Sequence, residues 1–227
     1  MFIDEFYDPF YQQLPVGCSN EANFKFGQFF KVHAYYPHEN LELWRPVPDP
    51  NEQTKTIATS FRIVPAGQDA FRRSLPLHTP KLETNEEFLV IRAKTRPVIL
   101  IQTERPLAGV FNHGFRGKIQ RRRVLVAQVY GLHDVKTGRQ EFNPSFIERV
   151  RKLEFPQLVF LPQQAGLFRV DSLLRLDEAQ SVFVPQMEPT QFAFCQDVEA
   201  LLRAQLLFLA TGESTAYTEL REMFLES

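Results

Sequence analysis

Short apolar runs separated by turn-forming residues predict that most of the chain folds into β-strands. The clearest is Arg123–Gly131, an apolar run of the kind buried on both faces of a sheet. Between residues 37 and 80, seven prolines predict an extended, irregular insertion with one strand inside it. The predicted strands cover residues 25–36, 56–64, 86–94, 96–102, 123–131, 157–162 and 171–177, and residues 179–185 form a further strand or a short turn of helix.

Three helices are predicted in the second half of the chain. Asn143 as N-cap and Pro144 in the first turn begin a short helix that ends before Pro156. A longer helix is predicted over 189–212, with Gly212 at its C-terminal stop. The predicted apolar faces are Phe146, Val150 and Leu153 in the first helix, Phe194, Val198, Leu201, Leu202 and Leu209 in the second, and Leu220, Met223 and Phe224 in a last helix over 215–226.

The order of the predicted elements indicates an α+β fold. Several strands precede one small helix, more strands follow, and helices end the chain, which differs from the regular β-α alternation of a doubly wound sheet. We therefore expect a compact antiparallel barrel or sheet with helices packed at one end. At 227 residues and 44% hydrophobic content, the chain can build a substantial core.

The formal net charge of −1 conceals a strong asymmetry. Between Arg92 and Arg123, nine bases against one acid give a net charge of +8, whereas residues 1–24 carry four acids and no base. Such a basic segment can attract a polyanion, although a charge run is more often an ordinary solvated face. Phe111 and Phe115 within it could stack on bases, as aromatic residues do in proteins that bind single strands.

Other chemistry is not indicated by the sequence. The two cysteines, Cys18 and Cys195, have no metal-ligand spacing and suit a reducing cytoplasm. No signal peptide, membrane span, phosphate-binding glycine loop or zinc motif is recognisable, so we expect a cytoplasmic protein without cofactor, metal or membrane partner.

Six segments of the chain carry recognisable motifs in a fixed order. They are a first strand "FGQFFKV", an Arg-Pro-Val-aliphatic strand "TRPVILIQ", an apolar strand "VLVAQVYG", a Pro-led strand "EFPQLVFLP", the segment "AGLFRVDSLLRLDEAQSV" with its Asp-Ser step, and an amphipathic helix "QDVEALLRAQLLFLA". Together they resemble a divergent member of the MazF/PemK (Kid) family of toxin endoribonucleases. The resemblance covers residues 25–32 and 95–211.

This resemblance implies a single domain over residues 1–227 with an SH3-like, partly open β-barrel and C-terminal helices. The best-matched core spans 95–211, and the parts left unexplained are a 1–24 N-terminal extension, the Pro-rich 37–90 insertion after the first strand, and an extra C-terminal helix over 213–227. A homodimer and a cognate antitoxin protein are also implied, as expected of the toxin in a type II toxin–antitoxin system.

The implied activity is metal-independent cleavage of single-stranded RNA. The ribose 2′-hydroxyl attacks the adjacent phosphate and leaves a 2′,3′-cyclic phosphate and a free 5′-hydroxyl. In the family the arginine of the Arg-Pro-Val motif is catalytic, and Arg96 occupies that position. A guanidinium cannot act as a base at ordinary pH, but it can hold a phosphate and stabilise the charge that builds on the phosphorane oxygens.

The chain departs from the family at the second catalytic position. The usual Thr or Ser is replaced by Tyr130, and Gln128 stands just before it. A tyrosine hydroxyl can donate a hydrogen bond, but the larger ring can also fill the pocket. Two outcomes stay open: chemistry rebuilt around Arg96 and Tyr130, or a barrel that no longer cleaves RNA.

The basic segment between the Arg96 and Tyr130 strands lies where the family has a short connector near the RNA groove. We predict that its side chains hold the phosphates that flank the scissile one. The residues predicted to bind RNA are Gln128, Arg105, Phe115, Arg116, Lys118, Arg121, Arg122 and Arg123.

Two other functions stay open. A non-catalytic SH3-like module that binds nucleic acid or a protein partner is favoured by Tyr130 and by the long acidic extensions. A relative of the gyrase-poisoning toxins, which share the barrel and use C-terminal helix residues that often include a tryptophan, is favoured least. The only tryptophan of the chain, Trp44, lies in the insertion.

Overall fold

The computed structural model describes residues 1–15, 17–18, 23–35, 42–48, 50–51, 56–65, 88–103 and 123–226. The chain divides into two compact units, one made of Met1–Ala34 with Thr95–Ser227 and the other of Tyr35–Lys94. The first unit holds a mostly antiparallel seven-stranded sheet and the helices, and the second holds an antiparallel three-stranded sheet. The predicted α+β class and the C-terminal helices are confirmed.

The elements follow the chain in this order. The strands are β1 (Tyr11–Gln13), β2 (Gln28–Tyr35), β3 (Glu42–Pro48), β4 (Thr56–Pro65), β5 (Phe88–Val90), β6 (Ala93–Thr103), β7 (Arg123–Gly131), β8 (Leu158–Leu161), β9 (Ser172–Phe183) and β10 (Glu188–Phe194). The helices are α1 (Ile3–Phe6), α2 (Pro144–Arg151), α3 (Gln196–Thr211) and α4 (Thr215–Glu226), with a 3₁₀ turn at Val184–Gln186. The larger sheet has the order β1-β10-β2-β6-β7-β9-β8, and the smaller has β4-β3-β5.

Strand β6 is buried on both faces because two hydrophobic clusters cover the sheet. Ile99 and Ile101 belong to a large cluster shared with the helices, whereas Val98 and Leu100 belong to a smaller cluster. Successive strand side chains point to opposite faces, so an unbroken apolar run is needed here. Burying each such aliphatic side chain contributes about 1.5–3 kcal/mol. The double burial predicted for β7 is confirmed, since its residues 126–129 are at most 3% exposed.

The N-terminal extension, whose role the sequence left open, is part of the core of the first unit. Ile3 in α1 is fully buried, and β1 forms the edge of the sheet with Tyr11 opposite Phe194. The Tyr11 hydroxyl donates a hydrogen bond of 2.8 Å to the carbonyl oxygen of Pro162. The first fourteen residues therefore contribute a helix, a strand and buried apolar area.

The helix predicted over 189–212 is wrong in its first part. Glu188–Phe194 is strand β10, which pairs with both β1 and β2, and α3 begins only at Gln196. Pairing with a neighbour on each side outweighs the helical spacing of Phe194 with the residues that follow it. The predicted end is confirmed, because Gly212 has the left-handed φ of 78° and donates its N–H to the Phe208 carbonyl. Leu209, predicted on the apolar face, is 42% exposed.

Strand β9 is one element, whereas the sequence predicted two. Gln128 lies opposite Arg175, and Val126, two residues away on β7, lies opposite Gln180. Residues 176–179 therefore bulge out of the register, as happens when one strand of a pair carries extra residues. For residues 179–185 the sequence left a strand or a short helical turn open. The strand continues to Phe183, and a 3₁₀ turn follows at Val184–Gln186.

The remaining differences concern the insertion and the short helices. Strand β3 was not predicted, and it pairs with β4 and β5 despite its two prolines. Helix α2 is capped as predicted, because the Asn143 side chain accepts the backbone N–H of Ser145 at 3.0 Å. In α4, Met223 is 37% exposed, whereas Tyr217 is fully buried and donates its hydroxyl to the Leu153 carbonyl. Among the described residues, no helix is long and apolar enough to span a bilayer.

Candidate active site

Arg96 and Tyr130 lie side by side on neighbouring strands. Strands β6 and β7 are antiparallel with Val98 opposite Gln128, and the same register, continued by two residues, places Arg96 opposite Tyr130. The central carbon of the Arg96 guanidinium is 4.3 Å from the centre of the Tyr130 ring. Such a cation–π contact stabilises the pair by about 0.5–2 kcal/mol, depending on its exposure.

The Tyr130 hydroxyl is bonded on its other side. It donates a hydrogen bond to a carboxylate oxygen of Glu178, and it lies 3.1 Å from the side-chain carbonyl oxygen of Gln128. Gln128 is 1% exposed, so its side-chain amide is a buried neighbour of this hydroxyl. The ring therefore faces a cation while its hydroxyl faces an anion.

Glu178 is held in place by an arginine. Its second carboxylate oxygen lies 2.6 Å from Arg175, and the Glu178 side chain is 8% exposed. The same guanidinium also binds Asp177 through two hydrogen bonds. We call Arg96, Gln128, Tyr130, Arg175 and Glu178 the Tyr130 network.

The bulge in β9 explains how Glu178 reaches Tyr130. A regular strand would leave only one residue between the partners of Gln128 and Val126, but β9 places four there. The additional residues bring Glu178 back to the tyrosine that lies beyond Gln128 on β7. Bulges often occur next to active sites because they change the direction of a side chain.

The environment of Tyr130 keeps its hydroxyl protonated. Burial raises the pKa of Tyr130 well above that of an ordinary tyrosine, and the hydrogen bond and charge of Glu178 raise this pKa further. The positive charges of Arg96 and Arg175 lower the pKa but are outweighed. At neutral pH the residue is therefore a hydrogen-bond donor and not a phenolate.

The structure brings three of the predicted site residues together, namely Arg96, Gln128 and Tyr130. Arg123 lies at the opposite end of β7, seven residues and about 23 Å from Tyr130 along an extended strand. It is exposed and covers the ring of Phe183 at 4.6 Å. Its contact with RNA stays a prediction, as does that of Gln128. The other residues predicted to bind RNA lie outside the described residues; they are Arg105, Phe115, Arg116, Lys118, Arg121 and Arg122.

Arg175 and Glu178 were not among the site residues predicted from the sequence. One signal was present in "LLRLDEAQSV", where three charged residues follow two leucines in a predicted strand. An arginine and two acids within four positions suggest an ion pair, but the pattern cannot show that the partner of Glu178 is a tyrosine 48 residues away.

His33 lies close to the neighbour of Arg96 in the fold but on another surface. Its Nδ1 is 3.2 Å from the hydroxyl of Thr95, the residue directly before Arg96. Successive strand residues point to opposite faces, so this pair is separated from Arg96 by the sheet. Within the described part of the chain, no group of three or more His, Cys, Asp or Glu residues could hold a metal ion.

Neither a family model nor a curated protein matches the chain. The case for a function therefore depends on the motifs in the sequence and on the geometry of the Tyr130 network.

Proposed function

We propose that the protein is a toxin of the MazF/PemK kind, a metal-independent endoribonuclease that cleaves single-stranded RNA at the Tyr130 network. The mixed fold, with its mostly antiparallel sheet and C-terminal helices, is compatible with the SH3-like, partly open barrel of that family. The proposal includes a homodimer and a cognate antitoxin.

One observation carries the proposal. Arg96 and Tyr130 were assigned to the site from two different motifs, and their side chains are in contact, with 4.3 Å between guanidinium carbon and ring centre. A half-buried arginine at the end of a strand is common. An arginine packed on a tyrosine whose hydroxyl is bonded to a nearly buried carboxylate is a more unusual arrangement, and such polar clusters are typical of functional sites.

In the proposed reaction the substrate supplies its own nucleophile. The 2′-hydroxyl attacks the adjacent phosphorus, the bond to the 5′-oxygen breaks, and a 2′,3′-cyclic phosphate forms. Arg96 binds the non-bridging oxygens and stabilises the negative charge that they gain in the transition state. Because the nucleophile is internal, in-line positioning and charge stabilisation supply most of the rate enhancement.

Charge beyond the network is also required. Arg96 and Arg175 together balance the carboxylates of Asp177 and Glu178, so these four residues have no net charge. The polyanion must then be attracted by other cations. The basic segment from Arg92 to Arg123, which carries a net charge of +7 when Arg96 is left out, is the proposed source of the contacts to the flanking phosphates.

The test is cleavage of a long single-stranded RNA in the presence of EDTA, with the product ends identified. Wild-type protein should produce 2′,3′-cyclic phosphate ends, and Arg96→Ala should lower the rate by about 10²–10³-fold, as loss of one charge-stabilising donor does. Arg203→Ala is the matched control. Arg203, on α3, also packs its guanidinium on an aromatic ring, that of Phe26 at 3.8 Å, but it lies outside the Tyr130 network. This control should keep the wild-type rate.

A second candidate function is a non-catalytic module that binds nucleic acid or a protein. It is favoured by the Tyr130 ring, which covers one face of Arg96 where the family has a small hydroxyl residue. If the wild-type protein bound RNA in a salt-sensitive manner and produced no cyclic-phosphate ends, the endoribonuclease proposal would be wrong and this second function would take its place.

A further inference from the structure

Cleavage by a 2′-hydroxyl requires a group that takes its proton, and neither residue assigned so far can keep it. The guanidinium of Arg96 remains protonated at any ordinary pH and has no acceptor atom. Tyr130 is itself protonated at neutral pH, so it can accept a proton only while it passes its own proton on. A second acceptor must therefore stand behind the tyrosine.

We infer that Glu178 is the final proton acceptor of the proposed reaction and that the proton reaches it through the hydroxyl of Tyr130. This inference rests on the proposed function and deepens it. Tyr130 is the group that touches the 2′-hydroxyl, and Glu178 is a positioning residue that acts through it.

The contacts support this order of groups. The Tyr130 hydroxyl already donates its hydrogen bond to Glu178, so the proton that would move lies on the path to the carboxylate. Arg175 binds the other carboxylate oxygen at 2.6 Å and so fixes the orientation of the acid. With its side chain 8% exposed, Glu178 is also shielded from competing water.

The backbone supports it as well. An acid placed on a regular strand between the partners of Gln128 and Val126 could not turn to Tyr130, and the four-residue bulge makes the contact possible. A bulge disrupts the ladder of hydrogen bonds locally and leaves residues unpaired. The presence of this bulge beside the Tyr130 network supports a functional role for Glu178, the side chain that the bulge redirects.

The proposed step is balanced in protons and electrons. An oxygen lone pair of the 2′-hydroxyl forms the new bond to phosphorus while its proton passes to the Tyr130 oxygen and the tyrosine proton passes to Glu178. The electron pair of the breaking bond leaves with the 5′-oxygen, which takes a proton from water. Glu178 returns its proton to the Tyr130 oxygen while the tyrosine hydroxyl proton neutralises the hydroxide that remains, and the site returns to its starting state.

The inference is tested with Glu178→Gln, an almost isosteric change that removes the acceptor charge. We expect the turnover rate on single-stranded RNA in EDTA to fall by about 10²–10⁴-fold, the usual contribution of acid–base catalysis. Binding of a 2′-O-methyl RNA, which cannot be cleaved, should stay equal or become tighter, because a negative charge has been removed.

Two further variants make the test sharper. Glu178→Asp keeps the carboxylate and should recover at least part of the lost rate, which a role in folding alone would not explain. Glu188→Gln removes the same charge from an exposed pair with Lys31 and should behave as wild type. Thermal melting of each variant shows whether it is folded. Should Glu178→Gln not fold, Glu178→Asp and Tyr130→Phe carry the test, with a lowered rate and unchanged RNA binding expected in both.

Failure of the inference differs from failure of the proposed function. If wild type cleaves and Arg96→Ala does not, but Glu178→Gln keeps the wild-type rate, then Glu178 is not the acceptor. A loss of rate matched by an equal loss of RNA binding would also overturn the inference. If wild-type protein does not cleave RNA at all, the proposed function is wrong and the inference falls with it.

Discussion

The N-terminal cluster and the Tyr130 network both place an arginine on an aromatic ring, and they differ in which of these two residues binds the carboxylate. In the N-terminal cluster (Phe2, Asp4, Glu5 and Arg151), the Arg151 guanidinium carbon lies 3.9 Å from the centre of the Phe2 ring. Asp4 binds the same guanidinium through two hydrogen bonds of 2.7 Å. In the Tyr130 network the acid is bonded instead to the aromatic residue, through its hydroxyl.

The difference lies in whether a proton can move. In the N-terminal cluster, the paired charges of Arg151 and Asp4, which are 147 residues apart in the chain, connect two helices. The hydrogen bond with Asp4 raises the pKa of Arg151, so its proton is held still more firmly. In the Tyr130 network the carboxylate accepts a hydrogen bond from a neutral tyrosine hydroxyl, and in the proposed reaction this hydrogen bond is the path of the proton. Similar residues therefore connect distant parts of the chain in one place, and in the other they form the site of the proposed reaction.

The largest expected effect on stability concerns the N-terminal cluster. Arg151→Ala should lower the free energy of unfolding by about 2–3 kcal/mol, because it removes charged hydrogen bonds and leaves Asp4 half-buried without its cation. The measurement is urea denaturation followed by fluorescence. At a temperature where the variant is folded, its cleavage rate should equal that of wild type. A variant as stable as wild type would show that the cluster does not fasten the N-terminal helix.

Arg96→Lys should lower the cleavage rate and leave stability almost unchanged, the reverse of what is expected for Arg151→Ala. It keeps the charge but removes the planar guanidinium that stacks on Tyr130 and that, in the proposed reaction, binds two phosphate oxygens at once. We expect the cleavage rate to fall by about 10–100-fold, or about 1.4–2.7 kcal/mol in activation free energy. The free energy of unfolding should change by less than about 1 kcal/mol. A lysine variant with full activity would mean that positive charge alone is sufficient at this position.

The smallest expected effect is a pH dependence of stability. The pKa of Tyr130 is raised in the folded protein, so its contribution to stability is fully present below about pH 10, the pKa of an unfolded tyrosine. That contribution is lost as the pH rises through the folded pKa. Tyr130→Phe cannot ionise, so its melting temperature should decline less than that of wild type between about pH 9 and 11. Equal declines would indicate that Tyr130 has an ordinary pKa.

The elements predicted well are those with strong local signals. Strands β6 and β7 are apolar runs with one conformation that buries both faces, and α2 has an Asn143 cap followed by Pro144. The prediction failed over residues 189–194, where apolar spacing suited a helix. Two neighbouring strands decided the conformation there, and neither is close in sequence.

The candidate site divides in the same way. Arg96 and Tyr130 were found because each stands in a recognisable motif, and the register of β6 and β7 then brings them together. Glu178 was missed because its role depends on the bulge in β9. A bulge is a mismatch in residue number between two paired strands. The sequence of one strand alone therefore does not show where a bulge occurs.

The sequence by itself determined the α+β class, the buried strands, the helix caps and the arginine at the start of the apolar run. These follow from hydrophobic periodicity and from the local chemistry of Asn, Pro and Gly. Only the tertiary structure decided that the N-terminal residues complete the sheet, that β9 bulges, and that the hydroxyl of Tyr130 meets Glu178. Those features depend on side chains that the folded backbone brings together from distant positions, and their energies arise only after that contact forms.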